Sequence, residues 1–138
     1  MTRREIRAGV LAVTAQFDGE VLRAIKLPRS VPADLSALDL QAMLEQLEQF
    51  PISFEGGPPF HQRIWKRLRQ IPWGSALTYA EMARAVDSPR AFRAVGQACG
   101  ANPLPLIVPC HRVVAEEGIG GFSSGLNWKT RLLEIEAG

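Results

Sequence analysis

The chain has 138 residues, 46% of them hydrophobic, and carries 16 Lys/Arg against 14 Asp/Glu. That is apolar mass for one compact unit or two small lobes, and no run approaches the ~18 apolar residues of a membrane span. The basic start Met1-Thr2-Arg3-Arg4-Glu5 lacks an apolar signal core, so a cytoplasmic protein is expected, with its two cysteines as thiols. Charge is uneven along the chain. Residues 1–60 hold 6 Lys/Arg against 8 Asp/Glu, and residues 61–138 hold 10 against 6, which permits nucleic-acid contact in the second half.

Residues 9–17 and 20–27 read as strands joined at Asp18-Gly19, a hairpin signal between apolar-rich runs. Residues 34–50 read as a helix capped by Asp34 or Ser36. Leu40, Met43, Leu44 and Leu47 form its apolar stripe, and Glu45 and Glu48 lie on the wet side. The run Pro51 to Pro59, with Gly56-Gly57-Pro58-Pro59, breaks the periodicity. It divides the chain into a reduced N-terminal α/β lobe, 1–55, and a second domain, 56–138.

A helix is predicted from about Pro59 to Gln70, with Phe60, Ile64, Leu68 and Trp65 inward and Arg63, Lys66, Arg67 and Arg69 outward. Thr78-Tyr79-Ala80-Glu81 is a capping-box pattern opening a short helix to about Val86. Ser88-Pro89 then supplies an N-cap and N1 proline to a second helix, ending at Cys99 with Gly100 as its C′ residue. Two short helices on a tight turn read as a helix-turn-helix or as a pair from a plain bundle. On the second helix Phe92, Val95 and Cys99 share an inward face, and Arg90, Arg93 and Gln97 an outward one. Small residues between them let the backbone approach a partner. Glycines and serines from Gly120 to Gly125 form a loop whose amides can meet a ligand. Asn127 caps a last helix carrying Trp128, Leu132, Leu133, Ile135 and Glu136.

The chemistry concentrates in Asn102-Pro103-Leu104-Pro105-Leu106-Ile107-Val108-Pro109-Cys110-His111-Arg112-Val113-Val114. Three prolines fix φ and push their predecessors toward extended geometry, so the run reads as a stiff extended connector presenting Cys110. A thiol attacks as thiolate, and a nearby base or cation lowers its pKa; His111 and Arg112 can supply both. Strand neighbours point to opposite faces, so Cys110 and His111 need a local turn or a bridging water. The competing reading is a buried, inert cysteine. A zinc site from His61, Cys99, Cys110 and His111 fails on spacing.

Pro-Cys-His-Arg-Val preceded by Asn-Pro-x-Pro resembles the active-site signature of O6-alkylguanine-DNA alkyltransferases, and the resemblance extends from Phe60 to Glu136. It includes the Phe-x-x-x-Ile-Trp lead-in, the Ile-Pro-x-Gly turn, Thr78-Tyr79 and Arg93-Ala94-Val95-Gly96. The resemblance implies an α+β fold: a hairpin-plus-helix lobe, then a helical lobe with a winged-helix-like helix-turn-helix and an active-site Pro-Cys-His-Arg strand. It implies a monomer without metal or cofactor that enters the minor groove of duplex DNA and flips out an O6-alkylguanine, with O4-alkylthymine as a further candidate. The alkyl group would pass once, irreversibly, to Cys110.

By position, His111 resembles the water-linked base, Glu136 its orienting carboxylate, and Asn102 the brace of the preceding turn. Tyr79 would help rotate the nucleotide and Arg93 would take its place. Ala94, Gly96, Arg112, Val113, Phe122 and Ser123 complete the implied DNA and base contacts. Three positions depart from the family pattern: Phe92 stands where a small residue is usual, Phe122 replaces a tyrosine and Ser124 a glycine. One rival is a non-enzymatic sensor of alkylated DNA with this fold, whose relatives typically lack the cysteine. Another is a redox-switched transcription regulator, for which the chain supplies no dimer helix.

Overall fold

The computed structural model describes residues 1–138. Its N-terminal part is an antiparallel meander of β1 (Thr2–Ala8), β2 (Leu11–Asp18) and β3 (Val21–Lys26), in that spatial order. Period-two burial is clean in β2, where Leu11, Val13, Ala15 and Phe17 face the core. β1 is an unpredicted strand. It buries only Ile6 and Ala8, and three arginines, Glu5 and Thr2 fill its other positions, as suits an edge strand guarded by charge. Gly9, expected to begin a strand, instead opens the turn between β1 and β2 at φ +57. A Cβ there would fall 1.8 Å from Asp39 Oδ1. The second turn is Gly19-Glu20, one residue beyond the expected place, because Asp18 still pairs with Val21.

α1 (Ala37–Glu48) starts at Ser36 rather than Asp34, with Ser36 and Asp39 capping each other reciprocally. Leu40, Met43 and Leu47 are buried. The proline- and glycine-rich run that follows is anchored: Pro51 O accepts from Leu22 N–H, and Gly57 lies so close under Trp65 that a Cβ would clash.

The second part contains α2 (Pro59–Leu68), β4 (Leu77–Thr78), α3 (Tyr79–Ala85), α4 (Phe92–Gly100), a 3-10 turn at Cys110–Arg112, β5 (Val113–Val114) and α5 (Leu126–Ala137). Thr78 and Glu81 form the predicted capping box of α3. α3 ends in a Schellman motif: Ser88 N–H reaches Ala83 O, Asp87 N–H reaches Arg84 O, and Asp87 sits at φ +59. That motif commits the Ser88 backbone, so Ser88 does not cap α4. Pro89-Arg90 form a turn instead, and α4 begins at Phe92 and includes Gly100.

The late start exposes Phe92. A helical side chain lies over the turn preceding its own Cα, and Phe92 has no helical turn before it, so the residue is 49% exposed rather than inward. Val95, Ala98 and Cys99 fill the core side alone. Asn127 likewise falls inside α5, whose N-cap is Gly125 at φ +108. β4 and β5 form a two-residue parallel pair, Leu77 opposite Val113 and Thr78 opposite Val114.

One apolar cluster of 32 residues runs through both parts. Hydrogen bonds cross between them from Ile25 N–H to Pro103 O (2.8 Å), Trp128 Nε1 to Pro28 O (2.8 Å) and Arg131 Nη2 to Leu35 O (2.9 Å). No helix is long and apolar enough to cross a membrane. Replacing the fully buried Trp128 by Phe deletes one of these bonds and leaves a void where the larger indole stood. Urea denaturation should then show a loss of about 2–4 kcal/mol, the bond and the cavity together.

Candidate active site

The segment that delivers the cysteine is a compact loop, not the extended strand expected. Prolines fix φ but leave ψ free, and the buried Asn102 amide folds the run back on itself. Its Oδ1 accepts from Leu104 N–H (2.9 Å) and its Nδ2 donates to Val108 O (2.7 Å), while Val108 N–H reaches Leu104 O. Leu106 is held at φ +79, a conformation rare for a residue with a Cβ. Cys110, His111 and Arg112 then lie on a 3-10 turn, and pairing begins only at Val113. This supplies the local turn that cysteine and histidine required, since successive side chains in a 3-10 turn diverge by about 120° rather than 180°.

Behind the turn lies Glu136, near the end of α5, with its carboxylate 4% exposed. Its Oε1 accepts from Arg112 Nε (2.9 Å) and Gly74 N–H (3.2 Å), and its Oε2 from Arg112 Nη2 (2.9 Å), with His111 Nε2 at 2.6 Å. Burial alone would raise the Glu136 pKa, but the bonds and charges of His111 and Arg112 outweigh it and bring the pKa down to about 2. Burial pushes His111 below the ordinary histidine range, against the pull of Glu136. The ionised carboxylate fixes the tautomer: Nε2 carries the proton, and Nδ1, with no protein partner, keeps its lone pair.

Cys110 is 4% exposed and unbridged. Burial raises its pKa against the lowering influence of the Asn102 amide, the Lys129 ammonium and a backbone N–H. At neutral pH it is therefore a thiol that needs a base. Cys99, also buried and free, is pushed up to about 12, chiefly by desolvation. None of the five main cavities includes Cys110 in its lining. No three His, Cys, Asp or Glu side chains stand together in a way that could hold a metal ion.

Two placements differ from expectation. Arg112, expected among the DNA or base contacts, is buried with its guanidinium committed to Glu136 and to Ile71 O (2.7 Å). Nor is it the cation beside the thiol. That cation is Lys129, fully buried on α5, whose Nζ donates to Val113 O (2.7 Å) and Gly121 O (2.9 Å) and lies 5.9 Å from the Tyr79 ring centroid. Sequence reasoning passed over Lys129, because a lone lysine on an amphipathic helix reads as solvent-facing. The available signal was its spacing, i, i+3, i+7, with Leu132 and Glu136.

Tyr79, at the start of α3, packs against Gly120 (φ +75), where a Cβ would lie 2.7 Å from the tyrosine oxygen, and beside Gly96 of α4. Cys110, His111, Glu136, Asn102, Val113 and Tyr79 are thus gathered around one buried centre. Arg93 is exposed on α4 with Ala94 and Gly96 half-buried beside it, and in the neighbouring loop Phe122 is half-buried and Ser123 exposed.

This centre ties stability to pH. Both shifts are depressions, so the unfolded chain binds protons first on acidification. Stability should decline as pH falls below 6.5, the ordinary His111 value, and again from 4.5 toward about 2 as Glu136 titrates. Denaturant midpoints measured from pH 8 to 3 should trace both losses, and His111→Gln should remove the upper one. Arg112→Met leaves the carboxylate buried without its cation and should cost about 3–5 kcal/mol at pH 7.

Residues 59–138 match the family described as 6-O-methylguanine DNA methyltransferase, DNA binding domain. A probable methylated-DNA–protein-cysteine methyltransferase of Acanthamoeba polyphaga mimivirus is 49% identical over 80 residues, 58% of this chain and 54% of its own. Mycobacterium tuberculosis OGT, solved in complex with DNA, superposes with a TM-score of 0.78 at 31% identity, over 98% of this chain and 92% of that one. S. pombe Atl1, solved in complex with damaged DNA containing O6-carboxymethylguanine, gives 0.51 at 35% identity, over 56% and 74%. The chain spans about half the length of the first curated relatives it matches. The matched segment runs from α2 through α5 and contains the cysteine turn, its histidine and its carboxylate, and the chain belongs to the 6-O-methylguanine DNA methyltransferase family.

Proposed function

We propose that this protein repairs DNA directly, accepting the alkyl group of an O6-alkylguanine on Cys110 in a single irreversible event. The observation that carries the reading is His111, its Nε2 on Glu136 (2.6 Å) and its Nδ1 without a protein partner, next in the chain to the buried Cys110 and in the lobe that also presents Arg93. α3 and α4 serve as the helix-turn-helix of a winged-helix-like domain spanning 56–138, with residues 1–55 as a supporting lobe. α4 lies in the minor groove, where Ala94 and Gly96 keep its surface slim. Arg93 occupies the space of the extruded nucleotide, and Tyr79 helps turn that nucleotide out.

Extrusion is required because the O6 substituent is hidden within the stack, and it costs a few kcal/mol of unstacking. Since Cys110 is 4% exposed, the Gly120–Gly125 loop must shift to admit the base. Phe122 then lies against the base, and the Ser123 amide meets its O6. The Cys110 proton passes through water to His111 Nδ1, while Glu136 holds Nε2–H and stabilises the imidazolium. The sulfur attacks the alkyl carbon, an S–C bond forms, the C–O6 bond breaks, and guanine leaves with the electron pair and regains a proton. The thioether is stable, so each molecule reacts once, as a monomer. Arg112 and Val113 act from behind: Arg112 fixes Glu136, and the Val113 carbonyl holds Lys129.

Mixing protein with an equal amount of duplex containing O6-methylguanine should add one methyl mass to the intact protein, without turnover. Cys110→Ala should abolish the gain. His111→Gln and Glu136→Gln should slow it by roughly 10²–10⁴-fold, the usual worth of a positioned general base. Arg93→Ala should slow it on duplex. Tight binding of the alkylated duplex without any mass gain would favour the damage-sensor reading instead, and repeating the assay with O4-methylthymine would define the substrate range.

A further inference from the structure

We infer that Phe92 is a second inserted side chain, an apolar wedge that opens the base step beside the nucleotide displaced by Arg93. The inference rests on the DNA-repair reading above and concerns how this chain distorts the duplex. Five large apolar side chains are exposed, at Met1, Val10, Leu38, Phe92 and Leu126, and Phe92 is the only ring among them. Every other aromatic side chain is buried or half-buried. Phe92 is the first residue of α4, between the exposed Arg90 and Arg93.

The surroundings suit a polyanion. No side chain caps the first turn of α4, so its N–H groups are available to phosphate oxygens. A shallow surface formed by Ser88, Pro89, Arg90 and Ala91 immediately precedes Phe92 in the chain. The nearest acidic side chain along the chain, Asp87, closes α3 on the far side of that turn. Gly96, four residues on along the same face of α4, has no side chain to cover the ring.

Geometry separates the two inserted groups. Adjacent residues on an α-helix project about 100° apart, so Phe92 and Arg93 cannot share one gap. With the arginine in the vacated position, the ring meets the neighbouring step. Proteins that kink DNA from the minor groove insert apolar side chains in this manner, exchanging stacking between bases for contact with the ring.

The test compares alkyl-transfer rates on duplex O6-methylguanine and on the free nucleobase O6-benzylguanine, whose activated carbon reacts without any duplex to open. Phe92→Ala should lower the ratio of duplex to free-base rate by about ten-fold, within the range for loss of one base–aromatic stack. Phe92→Trp should restore most of that ratio. In the non-reacting Cys110→Ala background, 2-aminopurine placed next to the lesion should brighten on binding, and adding Phe92→Ala should quench the rise. An unchanged ratio, or equal slowing on both substrates, would overturn the wedge. A change in oligomeric state on sedimentation without a change in ratio would overturn it too, assigning the ring to a protein contact. If wild-type protein alkylates on neither substrate, the repair reading fails, while the 2-aminopurine comparison still decides the wedge.

Discussion

The site depends on one saturated carboxylate. Glu136, on α5, receives four bonds from two separated stretches of chain: Gly74 after α2, and His111 and Arg112 on the cysteine turn. A lone carboxylate against His111 would draw a second proton onto the ring, and an imidazolium cannot accept one from a thiol. Burial prevents this, and the Arg112 charge adds to it. The guanidinium of Arg112 offsets the carboxylate through a fork of two bonds while a third N–H is held by Ile71 O. His111 therefore keeps its Nε2–H···carboxylate bond yet remains neutral. Buried ion pairs rarely add net stability. This one is better understood as setting the protonation state of its neighbour.

The cysteine shows the complementary balance. Burial holds it as thiol, whereas Asn102 and Lys129 favour thiolate. On the single-transfer reaction proposed above, the protein gains by keeping that sulfur protonated until a base and a substrate are both in place. Lys129 suits this, because its two carbonyl partners leave the ammonium a net positive charge within a dry environment. Its attraction for a thiolate is strong where water is excluded, and it does nothing to an uncharged thiol.

Local signals carried most of the architecture. The capping box at Thr78, the stripes of α1 and α2, and the Gly19 turn to within one residue rest on neighbouring residues, and so they could be read from the chain. What was missed is fixed by partners distant in sequence. β1 has too few buried positions to show a period, and β4 and β5 are two residues each, defined only by pairing with one another. Ser88-Pro89 imitates a helix start, but the Schellman close of α3 uses the same backbone first. Three prolines suggested an extended connector, and a single buried amide at Asn102 bent it. In the site, Cys110, His111 and Glu136 were legible by resemblance. Lys129 and the inward role of Arg112 depend on which face of the fold each occupies.

The short parallel pair explains how an exposed helix and a buried sulfur could act together. β4 runs directly into Tyr79 and α3, and β5 runs directly out of the cysteine turn, so two ladder positions tie the helix pair to the nucleophile. Lys129 adds a second tie, binding Val113 of β5 and Gly121 of the loop that covers Tyr79. Displacement at carbon needs the sulfur about 3–3.5 Å from its target and in line with the leaving oxygen. In the reaction proposed above, a base held by α4 and Tyr79 is positioned against Cys110 by this same frame. On that proposal, a substitution that loosens β4 from β5 degrades the transfer while leaving the thiol itself intact.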